Sequence, residues 1–145
     1  MNLNGTFTFA APRAKVWEVL NDPAILQRHM PGCESLELVG PDEYKATLKI
    51  GVAAIKGTYL ATLKIKDRKE LEGYTLAVEG SGAPGFVKGE GRVLLTDEGA
   101  GTVLTYNGDL QVGGLIARVG QRLLAGITDK MTRDFFESLG NEAVG

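Results

Sequence analysis

Cysteine and histidine each occur once in the 145 residues, as Cys33 and His29, and proline only 5 times. A structural zinc site built from Cys and His therefore cannot form within one chain. No intrachain disulfide can form either, which fits a reducing compartment. With so little proline, and glycines that follow no Gly-X-Y period, collagen and Pro/Gly low complexity are excluded. A positive excess is also missing. Lys+Arg 16 against Asp+Glu 18 leaves a net charge of −2, so no global field draws the chain to nucleic acid, and none is expected as a partner. No stretch approaches the roughly 18–20 apolar residues of a membrane span. The opening Met1–Thr6 has neither a basic nor an apolar region of a secretory signal. The expectation is a cytoplasmic protein, with one domain over residues 1–145.

Glycine is what the chain has in excess, 20 residues or about 14% against a usual share of roughly 7%. Their meaning depends on the elements that hold them. Residues 2–9 alternate, with Leu3, Phe7 and Phe9 in one phase, and read as a half-buried strand. Pro12 opens a helix carrying Val16, Trp17 and Leu20, and Asn21-Asp22-Pro23 caps a second short one with Ile25, Leu26 and Met30 on its apolar side. Six strand-like runs follow, over 34–39, 43–50, 55–66, around 74–78, 86–96 and 102–112, separated by loops short enough for antiparallel neighbours. From Leu115 to Leu139 the period changes to steps of three and four through Ile116, Val119, Leu123, Ile127, Met131 and Phe135, one long helix. The expected fold class is α+β: a seven-stranded antiparallel sheet, curved because it is too wide to stay flat, around a long C-terminal helix. One helix cannot fill such a concavity, so a cavity is expected.

About half the glycines fall at turns, where a positive φ costs glycine nothing. Gly5, Gly57, Gly80, Gly89, Gly91 and Gly108 instead lie within strands, in phase with apolar neighbours, and Gly120 falls on the helix stripe. Inward glycines let strands coil, and they also leave volume for an apolar ligand; the two readings are compatible. Inward Tyr44, Tyr59, Tyr74 and Tyr106 offer hydroxyls beside aromatic faces. Catalytic signals are weak. The run from Gly80 to Gly85 spells a dinucleotide loop but continues as a strand, where that chemistry needs a helix N-terminus. His29 is a general base only if a carboxylate such as Asp22 or Glu34 reaches it, and Cys33 has no basic flank. The basic run Lys64–Lys69 reads as a solvated hairpin tip, or as a weak contact to anionic lipid or an acidic partner. No enzyme is expected on this pattern.

Taken together, Ala11-Pro12 with Val16-Trp17, Pro31-Gly32-Cys33-Glu34, Gly85-Phe86-Val87-Lys88-Gly89, the run Leu104–Gly114, Arg122–Gly126 and Asp134-Phe135-Phe136 give the chain a family resemblance. It resembles the carbon monoxide dehydrogenase G subunit, within the START-like, helix-grip superfamily of polyketide cyclases and lipid-transport proteins, over nearly its whole length. The resemblance implies an accessory protein of a carbon monoxide dehydrogenase-type molybdenum enzyme, acting in membrane recruitment or delivery of an electron acceptor at the inner face of the membrane, with a peripheral membrane contact. It implies no covalently bound cofactor, and a prenylated quinone such as menaquinone, or another lipid, as ligand. Many members carry a tail beyond the domain; this sequence ends at Gly145, shortly after the helix. The lining expected from strand and helix phase is Phe7, Tyr59, Leu63, Leu76, Gly89, Gly91, Val93, Leu104, Tyr106, Gly120, Leu123, Ile127 and Met131. Leu26 and Met30 are expected at a mouth closed by the second short helix and a mobile Ser81–Gly85 loop. The alternatives are a cyclase or hydratase acting on an aromatic or polyketide substrate, and an assembly factor whose cavity is filled by its own side chains.

Overall fold

A computed structural model describes residues 1–144, apart from the side chain of Ala53; Gly145, the last residue of the expected domain, lies outside the described residues. The strands are β1 (Asn2–Phe9), β2 (Cys33–Gly40), β3 (Glu43–Ile50), β4 (Gly57–Lys69), β5 (Gly73–Gly82), β6 (Gly85–Glu98) and β7 (Gly101–Gly113). Two helices, α1 (Arg13–Leu20) and α2 (Pro23–His29), follow β1, and α3 (Gln121–Val144) ends the chain. Every strand pairing is antiparallel, in the order β1-β7-β6-β5-β4-β3-β2. The two short helices therefore carry the chain from one edge of the sheet to the other. This is the expected helix-grip architecture.

Local chemistry sets the joints. Asp22 accepts hydrogen bonds from the Ala24 and Ile25 amides at 3.0 and 3.4 Å, and Pro23 sits in the first turn of α2, where its missing N–H costs nothing. The fully buried Thr102 hydroxyl donates to the Ala11 carbonyl at 2.8 Å, tying β7 to the β1–α1 joint. Two apolar clusters result. One packs Phe9, Val16, Val19, Leu95, Leu104 and Leu139 where α1 and the C-terminal half of α3 meet β1 and β7. The other runs over β2 to β5 through Leu36, Tyr44, Ala46, Ala61, Ile65 and Tyr74.

Two boundaries differ from the expectation. The segment before β4 forms a short 3-10 turn, Ala53–Ile55, so that strand starts at Gly57. The last helix is likewise not continuous from Leu115. A 3-10 helix, Gly114–Val119, comes first, and Gly120 at φ +98° breaks the path before α3 begins. A helical period read across this break combines two elements of different phase, and the consequence falls on the site.

Candidate functional site: an apolar cavity under the long helix

Between the inner face of the sheet and α3 lies a cavity of about 450 Å³, within the roughly 300–1,000 Å³ of small-molecule sites. Its floor follows the period-2 pattern of the strands: Tyr44 and Leu48 on β3, Tyr59 and Leu63 on β4, Leu76 and Val78 on β5, Val87 and Val93 on β6. Its roof is Leu124, Thr128, Met131, Thr132, Phe135 and Phe136 of α3. Leu26, Met30 and Pro31 form the side wall, and Ile55 and Ile116 stand at the end where the loops gather. Among the described residues the lining contains no Asp, Glu, Lys, Arg or His.

The polar atoms in this lining are few and mostly occupied. Thr128 donates to the Leu124 carbonyl at 2.8 Å and Thr132 to the Thr128 carbonyl at 2.7 Å, so both hydroxyls bond back onto their own helix. The Tyr59 hydroxyl donates to the Ile55 carbonyl at 2.5 Å. Tyr44 and Tyr74 remain: both side chains are buried, and neither hydroxyl hydrogen-bonds to a described residue. Burial pushes Tyr74 up to about 12, against the lowering effect of the nearby Arg68 guanidinium and with a further push from Tyr44. Tyr74 thus stays a protonated donor over the whole physiological range.

Of the residues expected from sequence, Leu26, Met30, Tyr59, Leu63, Leu76, Val93 and Met131 line this cavity. The others do not reach it. Phe7 and Leu104 belong to the packed cluster under β1 and β7, with Leu104 fully buried. Tyr106 packs against that cluster, its ring 5.4 Å from that of Phe136 and its hydroxyl end over Gly5, where an added Cβ would lie 2.7 Å from the oxygen. Leu123 is 53% exposed, because the start of α3 at Gln121 turns Leu124 inward in its place. Ile127 stands beside the stripe without joining the lining, and Gly120 is the break before α3, with open space where a Cβ would be.

The strand glycines also divide. A Cβ on Gly89 would lie 2.1 Å from the Asp109 carbonyl oxygen, so this glycine permits close strand approach and contributes no ligand space. A Cβ on Gly91 would lie 3.4 Å from the bare Cα of Gly108. Gly80 is the strand glycine that lines the cavity, and a Cβ there would make only ordinary contacts, the nearest at 3.6 Å. Ser81 and Gly82 belong to β5 and Gly85 to β6, so a tight Ala83-Pro84 turn stands where a mobile loop was expected.

His29 is not in the cavity lining. Its Nε2 lies 3.7 Å from a Glu142 oxygen, and Arg28 pairs with the same carboxylate, so these side chains fasten α2 to the end of α3. Two of the four cations of the basic run are paired, Lys66 with Glu90 at 2.9 Å and Arg68 with Asp42. The expected lining did not include Tyr44, Tyr74, Leu48 or Val78, although all four share the inward phase of residues that it did include. Thr128 and Thr132 gave no such signal, since their polarity hides hydroxyls that are satisfied locally.

An open antiparallel sheet gripping a C-terminal helix over an apolar cavity is the START-like architecture, and solved structures bear this out. A START superfamily protein from Mycobacterium smegmatis superposes with a TM-score of 0.76 at 14% identity, covering 98% of this chain and 96% of that one. The Zhui aromatase/cyclase from Streptomyces sp. R1128 gives 0.67 at 19% identity, covering 99% and 93%. A conserved protein from Geobacillus kaustophilus is far more similar, with a TM-score of 0.97 and 43% identity over 99% of this chain and 95% of that one. Within this class, the family model of the carbon monoxide dehydrogenase G subunit (CoxG) matches residues 5–144, and the chain belongs to that family. No match is found among curated proteins.

Proposed function

We propose that this protein binds a prenylated quinone, such as menaquinone, as a non-catalytic accessory to a carbon monoxide dehydrogenase-type molybdenum enzyme at the cytoplasmic face of the membrane. The observation that carries the reading is an apolar cavity of about 450 Å³ whose unengaged polar groups are the hydroxyls of Tyr44 and Tyr74. A prenyl chain withdrawn from water gains about 0.8 kcal/mol per buried CH₂, and hydrocarbon walls suit it. A quinone carbonyl accepts hydrogen bonds and donates none, which matches two phenol donors, one of them, Tyr74, held protonated by burial. Family membership supports the partner enzyme. A lining without acidic, basic or imidazole side chains among the described residues supports binding over acid–base chemistry.

The test is organic extraction of the purified protein, mass spectrometry of the extract, and titration with menaquinone followed by its absorbance. Wild type is expected to release or bind quinone. Tyr44→Phe/Tyr74→Phe is expected to stay folded and to bind about tenfold or more weakly, since each lost hydrogen bond removes about 0.5–1.5 kcal/mol. A blank extract together with failure to bind added menaquinone rejects the quinone reading.

A further inference from the structure

The sheet is open, and its two edge strands, β1 and β2, are built differently. A free edge presents unpaired N–H and C=O groups to any other chain, and charges, bulges and covering side chains are what normally block it. β2 has all three. Glu34 and Glu37 lie within it, and its register against β3 shifts between Cys33 and Ser35 and again between Leu38 and Gly40. The Gln27 side chain of α2 also donates to the Glu34 carbonyl at 3.2 Å. β1 is different. From Asn2 to Phe9 it has no charged residue and no proline, and it runs against β7 in unbroken register, from Asn2 opposite Asp109 to Phe9 opposite Thr102.

One pair of residues fixes which main-chain groups of β1 are free. The Met1 ammonium donates to the Leu110 carbonyl at 2.7 Å, and the Leu110 amide donates to the Met1 carbonyl at 2.7 Å. Bonding alternates along an antiparallel ladder, so Leu3, Gly5, Phe7 and Phe9 also bond to β7, while Asn2, Asn4, Thr6 and Thr8 turn their N–H and C=O outward. All four of these residues are exposed. The Asn2 side chain leans back over the sheet to the Gly108 carbonyl at 3.1 Å, and that of Asn4 reaches Asn2, so neither folds over the edge.

We propose that β1 pairs with β1 of a second copy of this chain, antiparallel about a two-fold axis at Gly5. In this register Asn2 meets Thr8 and Asn4 meets Thr6, each pair exchanging both main-chain hydrogen bonds, so that every outward group finds a partner. Leu3 meets Phe7 on the inner face, apolar against apolar and twice over, and both are only half-buried in the single chain. Gly5 faces Gly5 on the axis. The inner face of that glycine is already taken by the hydroxyl end of Tyr106, 2.7 Å from where a Cβ would stand, so a side chain there would crowd the closest point of the pairing. Shifting the register by two residues leaves one end of β1 without a partner. A neutral strand meets no like charge in its own copy, and it offers an acidic or basic partner nothing to pair with. The contact does not depend on which ligand the cavity holds.

The test is sedimentation velocity over a concentration series, with amide hydrogen exchange read by NMR at the two ends of the series. One strand pair buries less than the roughly 1,200–2,000 Å² of a standard interface, so wild type is expected to dimerise with a Kd on the order of 10 µM. The Asn4, Thr6 and Thr8 amides are expected to gain protection as concentration rises, while Leu3, Gly5 and Phe7, already bonded to β7, stay as they are. Asn4→Lys/Thr6→Lys sets lysine against lysine on both sides of the axis and is expected to weaken the dimer about tenfold or more. Thr6→Pro removes an outward N–H without costing a bond to β7 and is expected to be monomeric. Glu37→Lys, on the β2 edge, is expected to dimerise like wild type. Circular dichroism checks that each variant is folded. A wild type that stays monomeric at 100 times that concentration, on the order of 1 mM, overturns the proposal. So do β1 variants that dimerise like wild type, or β1 amides whose protection is the same at every concentration.

Discussion

Tyr74 carries a phenol into hydrocarbon, between the ring of Trp17 and the inner face of β5, and its ionisation should be visible in stability. The folded chain holds this proton up to about 12, whereas in the unfolded chain it leaves near 10. Below pH 10 both states are protonated and the contribution is fully present. As pH rises from 10 to 12 the unfolded state loses its proton first, so stability falls, by on the order of 3 kcal/mol across that window. Urea midpoints measured from pH 9 to 12 should show this fall in wild type and a shallower one in Tyr74→Phe; equal slopes would mean that Tyr74 ionises as in solution. The inward phase of the tyrosines was legible in sequence, but which hydroxyls are engaged was not. Tyr59 is engaged because Ile55 ends a 3-10 turn that its alternating neighbours read as strand, and Tyr106 leaves the cavity because the β1–β7 register sets it across from Gly5.

At the scale of elements, alternation and turn chemistry sufficed to place seven strands, two short helices and a long one, because each strand buries one face and each joint carries Pro, Asp or Gly. The break at Gly120 escaped this reading, since apolar spacing continues through it. The backbone there, at φ +98° and ψ 141°, is a conformation that only glycine adopts without strain. Gly120→Ala should therefore lose about 1–3 kcal/mol in urea unfolding, even though a Cβ would meet no atom within 4 Å. A loss below about 0.5 kcal/mol would show that the joint tolerates an ordinary helical path. The element at risk is the start of α3, which turns Leu124 into the cavity and Leu123 away from it.

For the whole molecule, the cavity is a cost that a ligand offsets, because apolar walls without partner atoms forgo both dispersion and transfer energy. That gives occupancy a signature in stability. A ligand present at 100 times its Kd stabilises by about 2.7 kcal/mol, which for a chain of this size raises Tm by about 5–11 °C. Gly80→Leu should separate cavity filling from ligand binding. Gly80 lines the cavity, and a Cβ there meets Ala61 at 3.6 Å, so the new side chain fits the backbone and extends into the empty volume. Burial of that side chain supplies on the order of 1.5–3 kcal/mol, and the variant without ligand should melt at or above wild type. Added menaquinone should then raise the Tm of wild type and leave the variant where it was. Gly89→Leu, with backbone 2.1 Å from its Cβ, should instead melt well below wild type. An equal ligand-induced shift in wild type and Gly80→Leu would place the ligand outside this cavity.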